Sequence, residues 1–538
     1  MVFDKKIIES QELDKYHTAS FDGLKCFYRG FVFCSGKKAG EDSVDSLLCE
    51  YSKDRVLNLK NFYGAYHIII IDTVRNEVLF FGDNAGNCCF YYSQNEKVIC
   101  DSFLEITNKL KSITPNHDAI VQFLSFNCIY SYETICKEIN RTNSMEYYIL
   151  ANNGIQPHKK ILPKLGEDIK YNNFGEFMKD LSNAIEGLNI ADVITGGTDS
   201  RTVLAHLCAL NMAFKLVISG SDKSQDVLIA KEIAKVLNKE IYISDENIEK
   251  FDIEQFKSLF ERSDGVYGVL SRYRLHKKSK MLEQMDIDLE LGGVAGELYK
   301  NSFINQDFPF YNSGKVNQDK FYKMKINPSC FNQKFFTDMF IHKQQEMKNK
   351  VINNLFDEQD NKKSRLYYKV GAEILRHRMI TLSNSNNLSI PSISPFSEID
   401  VMNLTYSVNP WKLELNKWQR REISKYYPKI SAIRTERGIS LIDKKSTIIK
   451  EAISSYVFLF KIGLRRLLGA KSQTLNENKT QIYDAVKKLK IYKTAIQKCM
   501  ELNILNKQCN IDELPDDLID RLVTVSLVFY GQELFSIQ

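Results

Sequence analysis

Between residues 175 and 291 short apolar strands alternate with helical patterns, and this restricts the fold more than any other feature of the sequence. The strand candidates are 191–195 (ADVIT), 214–219, 240–244 and 285–291 (MDIDLEL). Between them, 175–188 places Phe177, Met178, Leu181, Ala184, Ile185 and Leu188 at helical spacing, 202–210 is a compact apolar helix, and 224–237 is amphipathic. Strands separated by helices of this length must run parallel, with right-handed crossovers, which predicts an open doubly wound sheet. The chain before it has another character. Residues 66–72 (YHIIIID) and 77–81 (EVLFF) are apolar and β-branched, 73–76 reads as a hairpin turn, 82–86 as a loop and 87–92 (NCCFYY) as a further strand. These features predict an antiparallel, β-layered first domain over 1–115, a doubly wound α/β domain over 116–470, and a helical C-terminal extension over 471–538. Residues 471–479 are polar and aperiodic, the composition of a flexible stretch.

Composition removes several classes of function. With 43% apolar and 26% charged residues, and only 25 Gly and 10 Pro among 538, the chain is ordinary globular material. A net charge of +6 spread over this length gives no footprint for nucleic acid. No apolar run approaches the length needed to cross a bilayer, and the N-terminus has no signal-like apolar region. Twelve scattered cysteines without a C-x-x-C pair argue against a zinc ribbon and fit a reducing compartment, so a cytoplasmic location is expected. The vicinal Cys88 and Cys89 read as packed thiols.

The sharpest local signal is Ile194-Thr195-Gly196-Gly197-Thr198-Asp199-Ser200-Arg201, between a predicted strand and a predicted helix. Ligands of doubly wound sheets bind there, outside the carboxyl ends of the strands. Two glycines let backbone N–H groups approach an oxyanion, Thr195 and Ser200 add hydroxyl donors, and the helix N-terminus adds partial positive charge. Asp199 does not bind phosphate, but it can hold a Mg²⁺ that does. The alternative is a plain strand-to-helix turn with an Asx cap. The segment is not a Walker A motif.

This segment resembles the S-G-G-x-D-S pyrophosphate loop of the N-type ATP pyrophosphatases, and the wider chain resembles the asparagine synthetase family, which includes β-lactam synthetase and the lasso peptide cyclases. The stretch 61–92 is similar to that family's N-terminal glutaminase fold, and 119–161 to the linker opening its synthetase domain. The run Gly292-Gly293-Val294-Ala295-Gly296-Glu297-Leu298-Tyr299 resembles its second loop, usually G-E-G-x-D-E-L-F. Residues 391–396 and 417–440 resemble its C-terminal stretch. The resemblance covers roughly residues 55–440. It implies an Ntn-type first domain, an ATP-pyrophosphatase second domain, ATP and Mg²⁺ as cofactors, and AMP-forming synthesis of an amide bond. Thr195, Gly196, Gly197, Asp199, Ser200, Arg201, Gly292 and Gly293 would hold the nucleotide, with Val217 and Ile218 packing on adenine.

The departures from the family pattern bear on function. The glutaminase nucleophile, a Cys after the initiator Met, is Val2 here, so no acyl-enzyme forms from glutamine and the first domain is expected to be a scaffold. Gly296 stands where the family has a metal-binding Asp, which leaves Glu297 as the candidate metal and catalytic carboxylate beside Asp199. Glu436 falls where the family has its catalytic Lys, and Arg437 is the candidate replacement, or an ion-pair partner for Glu436. The implied substrate is a small molecule or peptide carrying a carboxylate and an amine. A peptide cyclase or specialised-metabolite synthetase fits, as does an ammonia-dependent amidotransferase acting on a sugar uronate. A catalytically dead pseudoenzyme or nucleotide-binding scaffold is the alternative from another class.

Weaker features remain. Asp226 opens a predicted helix, where the dipole favours it, and Asp264-Gly265 reads either as a turn or as part of a substrate pocket. His377, between Arg376 and Arg378, reads as a solvated helical residue. Trp411 and Trp418 bracket a lysine-rich surface. Residues 441–500 hold thirteen Lys or Arg against four Asp or Glu, a solvated face or a docking region for a partner protein.

Overall fold

The computed structural model describes residues 2–3, 15–245, 251–326, 333–357, 360–467 and 477–536. The first part is built on a six-stranded antiparallel sheet. Its strands in chain order are β2 (His17–Phe21), β3 (Leu24–Cys34), β4 (Phe62–Asp72), β5 (Glu77–Gly82), β9 (Glu146–Ala151) and β10 (Gly154–Lys159). They lie in the order β10-β9-β5-β4-β3-β2. A smaller sheet of β1 (Val2–Phe3), β6 (Tyr91–Ser93), β7 (Val98–Cys100) and β8 (Asn140–Arg141) has the order β1-β7-β6-β8.

The run of four isoleucines in β4 follows from burial of the large sheet on both faces. Ile68 and Ile70 share one core with Val44, Leu47 and Leu48 of the helix Glu41–Asp54. Ile69 points the other way, into a core with Phe90 and with Ile99 of the smaller sheet's β7. A strand covered on both faces has no polar side to show, so polar residues do not alternate with apolar ones along it. β9 and β10 complete this sheet from residues 146–159, so it draws on chain well past residue 115. Sequence periodicity alone does not reveal such a return.

The stretch 87–92 is not a continuous strand. The carboxylate of Asp83 accepts the N–H groups of Gly86 (2.8 Å), Asn87 (3.0 Å) and Cys88 (2.6 Å), and this holds the backbone in a turn until Tyr91. A backbone donor spent on a carboxylate is not available to a strand ladder. Cys88 and Cys89 are buried thiols within the core.

The second sheet is parallel throughout and contains β11 (Ile190–Val193), β12 (Lys215–Ser219), β13 (Ile241–Ser244), β14 (Leu289–Leu291) and β15 (Ser392–Ile393). Its order is β13-β12-β11-β14-β15, so the chain winds outward from β11 in one direction and then in the other. One face packs Ala191 and Val217 against Leu282 and Ile287. The other face packs Ile194, Leu216 and Ile218 against Val203, Leu204, Val227 and Ile233 of the helices Asp199–Ala209 and Gln225–Leu237. The helices Lys490–Glu501 and Asp516–Phe535 pack on each other, and their buried residues belong to the same core as this sheet. The stretch 471–479 lies largely outside the described residues, and its side chains wholly so.

Two buried junctions tie the antiparallel part to the rest. Asp264 accepts from Ser102 Oγ (2.6 Å) and the N–H groups of Phe103 (2.7 Å) and Leu104 (2.9 Å) at the start of the helix Phe103–Lys109. It therefore joins two halves of the protein and does not face a pocket. His377, expected in solvent, is buried on the central helix Lys363–Asn387: its Nδ1 meets Arg141 Nη2 at 2.6 Å and its Nε2 meets Glu373 Oε1 at 3.2 Å. Burial lowers its pKa first, with Glu373 opposing. The charged neighbours misled the sequence reading because Glu373, Arg376 and Arg141 form a buried ionic network around the ring.

Candidate functional site

The winding of the parallel sheet reverses between β11 and β14, so their carboxyl ends flank a crevice that no crossover covers, the usual ligand position in such sheets. The strand β11 leaves the sheet at Val193, and residues 194–198 lead into the helix Asp199–Ala209. Thr198 makes no side-chain cap for that helix. Its first turn therefore depends on other groups, or on a ligand, for its N–H partners.

Within the loop, Ser200 Oγ accepts from Thr195 N at 3.1 Å and lies 3.1 Å from Thr195 Oγ1, and Thr195 Oγ1 accepts from Gly197 N at 3.2 Å. Gly196 N donates to Asp226 Oδ1 at 2.7 Å. Asp226 thus bonds the loop directly, beyond any favourable charge at the start of its helix. The second glycine loop closes over this helix start. A Cβ on Gly293 would lie 2.6 Å from Ser200 N, so only glycine permits the approach. Gly292 donates its N–H to Ile393 O at 3.0 Å and continues the sheet edge.

Asp199 is the centre of the arrangement. Lys300 Nζ sits 2.6 Å from its Oδ2, Gln419 Nε2 donates to Oδ1 at 3.3 Å, and Thr198 Oγ1 lies 3.3 Å from Oδ1. Glu297 is exposed, and the charge it faces is Arg378 on the helix Lys363–Asn387. Among the described residues neither Asp199 nor Glu297 belongs to a group of three candidate metal ligands. The only group of three His, Cys, Asp or Glu within metal-binding reach among the described residues is Cys100, Asp101 and Glu105, far along the chain from this loop. A Mg²⁺ ion demands an octahedral oxygen shell. Here the Lys300 ammonium already holds the Asp199 carboxylate, so an ion would have to displace it and take its other oxygens from phosphate and water.

A cavity of about 570 Å³ opens beside the loop. Its floor is the ends of β11 and β12, with Ile194, Thr195, Ile218 and Ser219. Val217 does not line it: its side chain is buried against Ala191, Leu282 and Ile287, while Val193 beside it on the same face does reach the cavity. Cations come from Arg272, Arg274 and Arg521, while Lys278 is held by Glu290 at 2.6 Å. Ile482, Asp517, Asp520 and Arg521 belong to the C-terminal region, which thereby walls the site. Asp520 Oδ1 accepts from Leu270 N at 2.7 Å, and Thr524 Oγ1 accepts from Val269 N at 3.2 Å, which fixes the turn bearing Arg272. Asp520→Ala should cost about 1–3 kcal/mol through the unpaired buried N–H, read as a lower urea midpoint.

Arg201 is fully buried beneath the loop and does not face its mouth. Its Nη1 donates to Ile433 O at 2.8 Å, and its Nη2 to Arg434 O at 2.9 Å and Gly196 O at 3.1 Å. It clasps the segment carrying Glu436 against the glycine loop. Burial pushes the Glu436 carboxyl up, and the neighbouring Asp226 carboxylate adds to this while Arg437 opposes it. Arg437 is exposed and donates to Ser455 Oγ at 3.1 Å, on the helix Lys445–Leu467.

The structure thus lines the cavity with Thr195 and Ile218, and places Gly196, Gly197, Asp199 and Ser200 in the adjoining loop and helix start, with Gly293 against Ser200 and Gly292 bonded to Ile393. It leaves Glu297 exposed and Val217 in the core, turns Arg437 toward Ser455, and gives Arg201 a positioning role. Sequence reasoning missed Lys300, Gln419, Arg272, Arg274 and Arg521. Lys300 alone carried a local signal, being one helical turn beyond Gly296. No protein-family model matches the chain, and a search of curated proteins finds none that matches it.

Proposed function

We propose that this crevice binds a nucleoside triphosphate and that the chain is an ATP-dependent, AMP-forming synthetase of amide bonds. The observation that carries the nucleotide reading is the glycine loop at the reversal point of the sheet, set on an uncapped helix start and opening into a cavity with three arginines. Its volume falls within the range of small-molecule sites, about 300–1,000 Å³. The adenylating, amide-forming step rests on the resemblance to the asparagine synthetase family, as does assignment of the antiparallel part to a glutaminase-like scaffold.

In this reading a carboxylate oxygen of the substrate bonds to the α-phosphorus as the bond to the β-phosphate breaks. Pyrophosphate leaves against the uncapped helix start. An amine then adds to the acyl carbon, loses its proton to solvent or a base, and expels AMP. Walls that hold amine and acyl carbon together supply much of the rate, since effective molarities of about 10⁵ M or more are attainable.

A second reading, a nucleotide-binding scaffold without turnover, is favoured by one feature. Asp226 occupies the Gly196 N–H and stands beside Glu436, so two carboxylates face the space an anion would enter.

The test is thermal unfolding with and without ATP, followed by product analysis with candidate amino-carboxylates. ATP at 100 times its dissociation constant should add about 2.7 kcal/mol of stability. Turnover should release AMP and pyrophosphate in equal amounts, whereas ADP and phosphate would remove the adenylation step. A shift without turnover across the substrates supports the scaffold. Glutamine should give no glutamate above a boiled control.

A further inference from the structure

The facing loop offers no ligating side chain to Asp199. At Gly296 an added Cβ would lie 2.2 Å from the Asp199 Cγ and 2.6 Å from its Oδ1, so no carboxylate can approach from that position. Instead the short 3-10 turn Gly296–Lys300 carries the chain past Asp199 and returns the Lys300 ammonium to Oδ2 at 2.6 Å. The turn is anchored at both ends. Ala295 is buried in a left-handed conformation at φ 68°, and Tyr299 packs on Phe396 and Trp418 at ring distances of 4.9 and 4.8 Å. Beyond it, Asn301 Nδ2 donates to Pro410 O at 2.6 Å. The Lys300 and Asp199 side chains retain 26% and 18% exposure, so the pair is sheltered yet still open to solvent at the start of the helix that follows the glycine loop.

We propose that Lys300, held on Asp199, is the cation with which this loop meets the phosphates of its ligand, and that a nucleoside triphosphate binds here without a divalent metal. The proposal rests on the nucleotide reading above. An ammonium has three donors, and one directed at Oδ2 leaves two for phosphate oxygens. The pair lies where salt screens it less than a surface pair, so the attraction to phosphate is retained at physiological ionic strength. A metal at Asp199 would have to displace the ammonium before it could share phosphate oxygens and water.

Isothermal titration of the full chain with ATP, pyrophosphate and adenosine, each in EDTA and in excess Mg²⁺, tests this. Wild type should bind ATP in EDTA within about threefold of its affinity in Mg²⁺. Lys300→Met should weaken ATP and pyrophosphate about 10- to 100-fold, the worth of a charge-assisted hydrogen bond, and leave adenosine unchanged. Lys300→Arg should keep most of the ATP affinity. ATP binding by wild type that requires Mg²⁺ overturns the proposal and leaves the nucleotide site standing. So does a folded Lys300→Met that binds ATP in EDTA as wild type does. If wild type binds neither ATP nor adenosine in either buffer, the nucleotide reading falls and this proposal with it. The wild-type comparison of the two buffers decides the matter even if Lys300→Met fails to fold.

Discussion

Arg201→Met should destabilise the protein by about 3–5 kcal/mol, the cost of breaking a buried charged network by removing one side of it. Methionine matches the length of the stem and fills the space, so little of the loss comes from packing. The loss comes from the carbonyls of Gly196, Ile433 and Arg434, which the guanidinium satisfies together. Each buried acceptor left without a donor costs about 1–3 kcal/mol. Relief from burying a cation works the other way. Burial lowers the guanidinium to a pKa of about 10, against the pull of Glu232, Asp226 and Glu436, and it stays charged at neutral pH. The network should outweigh this relief because one planar fork serves three carbonyls on two separate segments. For the same reason Arg201→Lys should recover little, since an ammonium lacks the fork. Urea unfolding followed by both fluorescence and circular dichroism measures the loss. A change below 1 kcal/mol would mean that water reaches these carbonyls. Because Arg201 joins the glycine loop to the 433–440 segment, nucleotide binding should weaken in either variant even where the protein remains folded.

Much of the architecture was legible because its signals are local. Strand and helix alternation over 175–291 gave the parallel sheet and its crossovers, since each element announces itself within ten residues. The position of the glycine loop was legible for the same reason: glycines, hydroxyls and an acid mark the passage from β11 to the helix Asp199–Ala209 within a few residues. What was not legible depends on distant chain. β9 joins the first sheet through pairing of Val78 with Leu150, about seventy positions apart, and nothing near either residue encodes that partnership. The turn at 87–92 is set by a side chain, Asp83, competing for backbone donors, while the apolar residues there have strand propensity. Arg272, Arg274 and Arg521 meet only because the C-terminal helix returns to the sheet, so each alone resembles a surface arginine. His377 shows the converse. Its charged neighbours suggested solvent, yet opposite charges from Glu373 and Arg141 are folded in beside it.

Asp192→Asn should stabilise the protein by about 2–4 kcal/mol at pH 7. Asp192 lies in the middle of the central parallel strand, paired in register with Leu216 on one side and Leu291 on the other, and its side chain is fully buried with neither oxygen hydrogen-bonded. Burial pushes its carboxyl well above the usual carboxylate range. The nearby Cys208 thiol is pushed up to about 12, first by burial and then by Asp192. The folded chain therefore holds the Asp192 proton to higher pH than the unfolded chain does. Each pH unit over which the folded chain keeps a proton the unfolded chain has lost costs about 1.4 kcal/mol. The sign follows directly. A raised folded pKa means that the native state binds more protons, so stability falls as pH rises from about 4 toward that pKa. Asparagine has nearly the same shape and no proton to lose, so the variant should lack this slope, and its advantage should vanish near pH 4. Its amide is as unpaired as the neutral acid it replaces, which keeps the gain at or below the proton term. Melting curves from pH 4 to pH 8 for both proteins measure the difference. If the two lose stability in parallel across that range, Asp192 is ionised in the folded state, and a cation or water must then reach the strand between β12 and β14.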